Sequence, residues 1–332
     1  MSSVAIVGAT GAVGREMLAV LRQRGYPLSK LRLLASGRSA GSTVHAMGRD
    51  LRVEEATAAS FRGVDLALFS AGASVSRVLA PAAREAGALV VDNSSAFRMD
   101  PDCPLVVPEI NGHALASHGG IIANPNCSTI LLCMALEPIR AVAGLSRIVV
   151  CSYQAVSGAG ARALEEMRAQ EEAEREGREL RHEIFPAVIA HNVIPFVQAI
   201  GDDGYSTEET KVRDETRRIF GMPDLPVSAT CVRVPVTRAH SEAVHAGTLR
   251  PLTPEQARQA YEGRPGLVAW REGFPTPRQA AGGDEVHVGR IRADRVFEPG
   301  LALWCVMDQL RKGAALNAVQ IAERALGIAA GT

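Results

Sequence analysis

The sequence predicts an α/β protein with two domains: an N-terminal parallel-sheet domain, then an α+β domain built on a mixed sheet. The chain has 332 residues, which is more than one hydrophobic core usually holds. Apolar runs alternate with helical patterns before Cys127, as in a doubly wound parallel sheet. After Cys127, the apolar runs have fewer helices between them, which indicates a mixed or antiparallel sheet.

The predicted domains are residues 1–126 and residues 127–312. In the first domain, strands are predicted at Val4–Val7, Leu31–Leu34, Val64–Phe69, Ala88–Val91 and Gly120–Ile122, with a helix at Val75–Glu85. In the second, they are predicted at Ser146–Tyr153, Val227–Val234, Glu242–Leu249, Val286–Ile291 and Leu301–Val306. The charge-dense segment Arg162–Glu183 predicts a long helix with a solvated face, and Lys312–Leu326 predicts a final amphipathic helix.

The overall composition favours a small-molecule enzyme over a nucleic-acid or membrane protein. The 36 basic and 36 acidic residues cancel, whereas nucleic-acid binding usually needs a basic excess or a basic face. No apolar stretch has the length of a membrane span. The six scattered cysteines do not form a disulfide framework, and the N-terminus has no signal-peptide pattern. We therefore expect a cytoplasmic protein with free thiols and no metal site.

A glycine turn follows the first predicted strand. Gly8, Gly11 and Gly14 separate Val4–Val7 from a helical segment that starts at Arg15. Such a turn exposes backbone N–H groups at a helix N-terminus, and glycine lets a phosphate approach the main chain closely. The spacing G-x-x-G-x-x-G differs from the usual G-x-G-x-x-G, and glycine turns also serve tight packing. The position after the first strand favours a Rossmann-like dinucleotide site.

The segment after the second strand indicates which dinucleotide binds. NAD sites usually carry an acid about 20 residues past the glycines, where it holds the ribose 2′-hydroxyl. Here Arg38 stands between Ser36 and Ser39, with no acid in this segment. An arginine flanked by hydroxyl groups suits a 2′-phosphate, so NADP is favoured over NAD. A polar loop with an unrelated arginine is the alternative.

Cys127 is the candidate nucleophile. Pro125 ends the preceding strand, and an apolar helical run starts after the cysteine. A helix N-terminus favours thiolate over thiol, and the thiolate is the form that attacks a carbonyl to give a thioester. The alternative is a buried structural cysteine, which Cys133 and Cys305 fit well.

A cysteine nucleophile needs a base, and His240 is the candidate among eight histidines. It is predicted to lie on a connection between two strands, where functional residues concentrate. Arg233 precedes it by seven residues, and its planar guanidinium suits a carboxylate. The alternative for His240 is a structural hydrogen-bonding residue, and the sequence alone does not pair it with Cys127.

At these motifs the chain resembles the aspartate-semialdehyde dehydrogenase family over nearly its whole length. The resemblance rests on eight motifs in order: Val4–Gly14, Ala35–Gly41, Asp92–Arg98, Val107–Asn111, Asn124–Thr129, Ser152–Gly160, Asn192–Pro195 and Arg233–Glu242. It implies NADPH-dependent reduction of L-aspartyl-4-phosphate to L-aspartate 4-semialdehyde through a cysteine thioester. The product feeds lysine, threonine, methionine and isoleucine biosynthesis.

The resemblance also implies the roles of site residues. Cys127 is the nucleophile and His240 the acid/base, while Gln154, Arg233 and Glu208 bind the substrate. Phosphate binding falls to Arg98, Asn126 and Lys211, although the Glu208–Lys211 match has weaker flanks. The residues implied to bind the cofactor are Gly8, Thr10, Gly11, Ala12, Val13, Ser36, Arg38, Ser39, Ser157, Gly158 and Asn317.

The family fold returns the last helix, 313–332, to the cofactor domain, and the second domain is implied to carry the dimer contacts of a homodimer or a dimer of dimers. Two other functions stay open at this point. One is an enzyme like N-acetyl-glutamyl-phosphate reductase, whose substrate carries an acylated nitrogen that would not suit Glu208. The other is a non-catalytic relative, which would typically lack Cys127 or His240.

Overall fold

The computed structural model describes residues 1–329 and divides the chain into two compact units. Unit 1 comprises Met1–Asn126 and the C-terminal segment from Gly313, and unit 2 comprises Cys127–Lys312. The last three residues of the predicted C-terminal segment, 330–332, lie outside the described residues.

Unit 1 contains seven strands and four α-helices within the described residues. Its strands are β1 (Ser2–Val7), β2 (Leu28–Ala35), β3 (Thr43–Ala46), β4 (Arg49–Glu55), β5 (Leu66–Phe69), β6 (Leu89–Asp92) and β7 (Ile121–Ala123). Its helices are α1 (Ala12–Gln23), α2 (Ala73–Glu85), α3 (Pro108–Asn111) and, near the C-terminus, α9 (Leu316–Ala325). Short 3-10 turns lie at Ala58–Phe61 and Gly112–Ser117.

The strands of unit 1 form one sheet in the order β3-β4-β2-β1-β5-β6-β7. Every neighbouring pair is parallel except β3 with β4. The central strands β1 and β5 are almost fully buried because helices cover the sheet. Helix α9 adds Leu316, Val319 and Ile321 to the same hydrophobic core.

Unit 2 contains six strands and five α-helices within the described residues. Its strands are β8 (Leu145–Gln154), β9 (Val227–Arg233), β10 (His240–Thr248), β11 (Leu267–Ala269), β12 (Val286–Ala293) and β13 (Gly300–Met307). Its helices are α4 (Cys127–Ala143), α5 (Ala161–Arg175), α6 (Thr207–Phe220), α7 (Pro254–Ala260) and α8 (Pro277–Ala280), and a 3-10 turn lies at Val156–Ala159.

The sheet of unit 2 has the order β11-β12-β13-β10-β8-β9. The two outer pairs, β11 with β12 and β8 with β9, are parallel, and the inner pairs are antiparallel. The apolar helix α4 packs against β10, β12 and β13. The predicted fold class, a parallel-sheet domain followed by an α+β domain with a mixed sheet, is confirmed.

Some local predictions were wrong. The helix predicted over Arg162–Glu183 ends at Arg175, because Gly177 adopts a left-handed φ of 69° that stops the helix. The final helix, predicted to start at Lys312, starts at Leu316 after a π-helical turn at Arg311–Ala315. His240 is the first residue of β10 and does not lie on the connection before it.

No helix among residues 1–329 has the length and apolar character that a membrane crossing requires. The same part of the chain holds no cluster of three or more histidine, cysteine or acidic side chains that could bind a metal ion.

The glycine turn of unit 1 packs too tightly for side chains. A Cβ atom on Gly14 would lie 2.3 Å from the carbonyl oxygen of Gly8 and 2.8 Å from Cα of Ala9. Gly8 has a φ of 88°, and a Cβ there would lie 2.3 Å from the carbonyl oxygen of Ser70. Glycine therefore lets α1 approach the end of β1 closely. The start of the helix then lies next to the edge of the sheet.

We predict that Gly14→Ala lowers the free energy of unfolding by about 1–3 kcal/mol, because the new methyl group must displace backbone atoms. Gly119→Ala is the matched control, since a Cβ there meets no atom within 4 Å. Thermal melts of the two variants should show a lower Tm for Gly14→Ala only. An unchanged Tm for Gly14→Ala would contradict the packing argument.

Candidate active site

Three polar side chains meet at one edge of the mixed sheet. Gln154 ends β8 and Arg233 ends β9, and the two residues are paired in the parallel ladder. Strand β10 runs antiparallel to β8 and begins with His240. The end of β8 therefore lies between the start of β10 and the end of β9, which brings residues distant in sequence to the same edge.

The peptide groups on either side of Ala155 hold two of these side chains. The N–H of Ala155 donates to Nδ1 of His240 at 3.0 Å, and the carbonyl oxygen of Ala155 accepts from Nη1 of Arg233 at 2.6 Å. Both side chains are buried, with exposed fractions of 0% for His240 and 6% for Arg233. Their positions are thus fixed relative to the end of β8.

The other imidazole nitrogen of His240, Nε2, is buried and has no hydrogen-bond partner among residues 1–329. Burial, and then the charge of Arg233, lower the imidazole pKa well below its usual value, which favours the neutral ring. Gly158 faces both groups: a Cβ there would lie 3.1 Å from Nε2 of His240 and 3.3 Å from Nη1 of Arg233. The glycine leaves space next to the two side chains.

Gln309 forms hydrogen bonds with two segments next to His240. Its Oε1 accepts the N–H of Ala239 at 2.8 Å, and its Nε2 donates to Oγ of Ser157 at 2.7 Å. Ala239 has a φ of 74°, which is strained for a residue with a side chain. Strain of this kind persists where surrounding contacts over-determine the backbone, and here it sets the direction in which β10 starts.

Arg233 connects this edge with the cysteine and with an acid. Its guanidinium interacts electrostatically with Glu208 and with Cys127, while burial lowers its pKa. Its Cζ also lies 5.8 Å from the centre of the Phe185 ring, a contact that stabilises a cation. A buried guanidinium with one carboxylate nearby is well suited to bind a further anion.

Cys127 is the first residue of α4, as predicted, and is only partly buried. The helix has 17 residues, so its N-terminal dipole favours a thiolate at this position. By contrast, Cys133, Cys231 and Cys305 are buried, and burial raises the pKa of each of these thiols. Reactivity is therefore expected at Cys127 and not at these three.

A hydrogen-bonded set links Gln154 to α6. Nε2 of Gln154 donates to Oγ of Ser128 at 3.0 Å and lies 3.4 Å from Oε1 of Glu208. Nε2 of Gln198 donates to Oε2 of Glu208 at 3.0 Å, and Nζ of Lys211 donates to Oε1 of Gln198 at 2.6 Å. Nζ of Lys211 also lies 3.6 Å from Oε2 of Glu208.

The two adjacent glutamates of α6 have different surroundings. Glu209 forms a capping box with Ser206 and accepts the N–H of Cys231 at 2.8 Å, so it fixes the helix start against β9. Glu208 points instead toward Gln154 and Gln198. Glu209 therefore caps α6, whereas the carboxylate of Glu208 belongs to the hydrogen-bonded set around Gln154.

Unit 1 has a cavity of about 670 Å³ at the glycine turn. Gly8, Thr10, Gly11, Ser36 and Arg38 line it, whereas Ala12 and Val13 begin α1 and Ser39 lies in the turn after Arg38. The exposed backbone of the turn and the close approach at Gly8 fit a phosphate-bearing dinucleotide.

The same cavity also contains an acid that the sequence reasoning missed. Glu55, the last residue of β4, lines it together with Arg38. Its Oε1 lies close to Gly37, since a Cβ on that glycine would be 3.0 Å away. Strand β4 pairs with β2 at this point, with Glu55 opposite Ala35.

Three further predicted residues lie in unit 1. Arg98 donates from Nε to the carbonyl oxygen of Asn124 at 3.0 Å and from Nη2 to that of Asn93 at 2.7 Å. Asn317, on α9, donates to Val106 O at 3.0 Å and to Oδ1 of Asn124 at 2.7 Å. Asn126 is buried at the end of the unit. Arg98 and Asn317 thus share Asn124 as a partner.

Several residues that orient side chains of the site were not predicted from the sequence, because only their tertiary contacts reveal them. Ser128, Gln198 and Gln309 orient neighbouring side chains, and Ala155 acts through its main chain. Ser157 and Gly158, predicted to bind the cofactor, lie in the 3-10 turn beside His240 within unit 2.

Comparison with known proteins identifies the family. The model described as semialdehyde dehydrogenase, NAD binding domain, matches residues 3–118, and the model described as semialdehyde dehydrogenase, dimerisation domain, matches residues 136–312. Aspartate-semialdehyde dehydrogenases from Aquifex aeolicus and Bacillus subtilis are 50% and 49% identical to this chain, and each alignment covers 96% of both proteins.

A solved structure is similar to this chain in both sequence and fold. The crystal structure of aspartate semialdehyde dehydrogenase II from Vibrio cholerae, complexed with ASA, has a TM-score of 0.96 and 46% identity, with 98% of each chain covered. These similarities extend over both units, and they agree with the motifs that meet at the sheet edge. The chain belongs to the aspartate-semialdehyde dehydrogenase family.

Proposed function

We propose that this chain catalyses the NADPH-dependent reductive dephosphorylation of L-aspartyl-4-phosphate to L-aspartate 4-semialdehyde through a thioester on Cys127. The observation that carries the proposal is the cluster of buried polar side chains at one edge of the unit 2 sheet, around a partly exposed helix-start cysteine. Family membership at about half-identical sequence supports the same reaction.

Cys127 is the nucleophile in this proposal. Its thiolate attacks the acyl phosphate carbon, a C–S bond forms and phosphate leaves, which divides a difficult acyl transfer into two easier steps. The N-terminal dipole of α4 and the nearby Arg233 charge both favour the thiolate. His240 is the catalytic histidine of this set.

The substrate's charges match the charges of the site. Arg233 binds the α-carboxylate with its planar guanidinium, and Glu208 accepts hydrogen bonds from the α-ammonium group. Gln154 contacts the reacting end of the substrate near Cys127. Lys211, one helical turn from Glu208 on α6, contributes positive charge for the phosphate. Arg98 and Asn126 are the further phosphate ligands of the proposal.

NADP is the proposed cofactor, held in the glycine-turn cavity of unit 1. When bound, the reduced nicotinamide supplies the hydride that converts the thioester to the aldehyde. Gly8, Thr10 and Gly11 present backbone to its phosphates, while Ser36 and Arg38 receive the 2′-phosphate. Arg38 is exposed and has no hydrogen bond or ion pair with any residue from 1 to 329, so it suits an incoming phosphate.

The proposal extends to a homodimer or a dimer of dimers, in line with the dimerisation-domain match. On the strands of unit 2, Val149 and Tyr153 each expose 38% of their surface, and the ring centres of Tyr153 and Trp304 lie 5.5 Å apart with the ring planes tilted by 48°. Large apolar side chains exposed together on a sheet face favour a protein partner, and symmetric dimers are the commonest oligomers.

The reaction is tested by measuring NADPH formation from L-aspartate 4-semialdehyde, NADP and phosphate. We expect phosphate-dependent turnover with this aldehyde and little with N-acetyl-L-glutamate 5-semialdehyde, because the buried Glu208 favours a free ammonium group. Turnover with the N-acetylated aldehyde alone would instead support the parallel reductase and contradict the proposal.

We predict that Cys127→Ser abolishes nearly all of this turnover, because serine is not ionised at neutral pH and forms no thioester. Cys133→Ala is the control: that thiol is fully buried, and burial raises its pKa, so it stays protonated. The control should keep its kcat. Full activity of Cys127→Ser in the same absorbance assay would exclude the proposed nucleophile.

Arg38 and Glu55 should act in opposite directions on cofactor choice. We predict that Arg38→Ala raises the Kd for NADP and hardly changes that for NAD, since only NADP carries the 2′-phosphate. Glu55→Gln, which removes a negative charge from the same cavity, should lower the Kd for NADP. Fluorescence titration with both cofactors measures this, and Arg49→Ala at the start of β4 is the exposed control. An equal change for both cofactors in Arg38→Ala would make Arg38 structural.

A further inference from the structure

The ring of Phe185 lies next to the guanidinium of Arg233, in a hydrophobic cluster of unit 2. Cζ of Arg233 is 5.8 Å from the centre of the ring, and Phe185 exposes only 8% of its surface. The negative face of an aromatic ring attracts a cation, and the attraction is stronger where water is excluded. Phe185 therefore stabilises the charge of Arg233 at the position where Ala155 holds the guanidinium.

The irregular segment that carries Phe185, residues 181–194, is attached to α5. The carboxylate of Glu166, on that helix, accepts the N–H groups of Glu183, Ile184 and Phe185 at 2.6, 2.7 and 3.3 Å. Hydrogen bonds to an ionised acceptor are stronger than those between neutral groups. Because three successive peptide groups converge on one carboxylate, the backbone that carries the ring has a defined position.

A second side chain of α5 holds the same segment. Gln170 is buried, and its Oε1 accepts the N–H groups of Ile189 and Ala190 at 3.0 and 3.1 Å. Its Nε2 donates to the carbonyl oxygen of Arg181 at 2.8 Å. Buried polar groups are normally hydrogen-bonded, and here the bonds of one amide fix the backbone on both sides of Phe185.

The end of the segment pairs directly with the main chain of Arg233. The N–H of Ile194 donates to the carbonyl oxygen of Arg233 at 3.0 Å, and the N–H of Arg233 donates to that of Ile194 at 2.8 Å. Ile189, Ile194 and Phe185 also pack in one hydrophobic cluster with Val156 of the 3-10 turn. The segment therefore contacts Arg233 twice, at its main chain through Ile194 and at its guanidinium through Phe185.

We propose that Phe185 is a positioning residue that sets the affinity of the site for the substrate α-carboxylate, and that it acts through Arg233. This inference rests on the proposed function, in which Arg233 binds that carboxylate. A ring face stabilises a guanidinium without using its N–H donors, so these donors can bind an incoming carboxylate. An acidic side chain in place of the ring would pair with Arg233 and compete with the substrate.

Three substitutions distinguish this role from simple filling of the hydrophobic cluster. Phe185→Met keeps a large apolar side chain but removes the ring face, whereas Phe185→Tyr keeps the ring. Phe196→Met is the matched control, because Phe196 packs against the same cluster. A residue that only fills the cluster affects all substrates alike, whereas a residue that acts through Arg233 affects only those that carry the α-carboxylate.

The kinetic test compares two aldehydes in the NADPH assay. 3-Aminopropanal is L-aspartate 4-semialdehyde without the α-carboxylate, so it lacks the group that Arg233 binds. We expect Phe185→Met to raise the KM for L-aspartate 4-semialdehyde about 2–30-fold with little change in kcat. It should leave kcat/KM for 3-aminopropanal unchanged, and Phe185→Tyr and Phe196→Met should keep the wild-type values. An equal loss with both aldehydes, or the same KM increase in Phe196→Met, would contradict the proposal.

Alkylation of Cys127 tests the same contact without turnover. Iodoacetate carries a carboxylate and iodoacetamide does not, and both react with the thiolate. The ratio of their rates at Cys127, followed by mass spectrometry, therefore measures how strongly the nearby Arg233 attracts an anion. We expect a higher ratio in the wild type than in Arg233→Gln. The ratio should fall in Phe185→Met and stay at the wild-type value in Phe185→Tyr and Phe196→Met.

The alkylation ratios decide the proposal even where 3-aminopropanal is too poor a substrate to measure. A wild-type ratio equal to that of Arg233→Gln, or an unchanged ratio in Phe185→Met, would overturn it. If the wild type does not turn over L-aspartate 4-semialdehyde, the proposed function fails, whereas the alkylation ratios still show whether Phe185 acts through Arg233.

Discussion

The arrangement of the site depends on the main chain of Ala155. Its N–H and carbonyl oxygen hold His240 and Arg233, two side chains from different strands, at the edge where β8 ends. The antiparallel pairing of β8 with β10 brings His240 to that edge, and the parallel pairing of β8 with β9 brings Arg233 there. A mixed sheet is needed for this, because only an antiparallel neighbour starts where the parallel strands end.

Charge balance explains why several polar and charged side chains are buried at this sheet edge. Arg233 is nearly inaccessible, and the nearest carboxylate, Glu208, is shared with Gln154, Gln198 and Lys211. A buried cation costs free energy unless it is paired and hydrogen-bonded. The buried Arg233 is therefore expected to be most stable when an anionic substrate is bound. Substrate affinity should then depend on the protonation of the groups next to Arg233.

The sequence predicted the parts of the site that local patterns determine. Cys127 could be placed at a helix start from the preceding proline and the apolar run after it, and the glycine turn from its place between β1 and α1. Those signals span a few residues.

Other parts depend on contacts between distant residues, and no local pattern indicates them. Gln198 approaches Glu208 through an irregular segment, and its own backbone has a φ of 67°. Glu55 reaches the cofactor cavity from a polar edge strand, β4, that the alternation of apolar residues did not reveal. The sequence predicts a connection at His240 because the strand that it begins is more polar at that end, with His240-Ser-Glu242.

The most direct test of the proposed function is to trap the covalent intermediate. The protein is mixed with L-aspartate 4-semialdehyde and NADP, phosphate is withheld, and the acid-quenched digest is sequenced by mass spectrometry. We expect an aspartyl thioester on Cys127 and on no other cysteine. A stoichiometric burst of NADPH without an acyl group on Cys127 would contradict it.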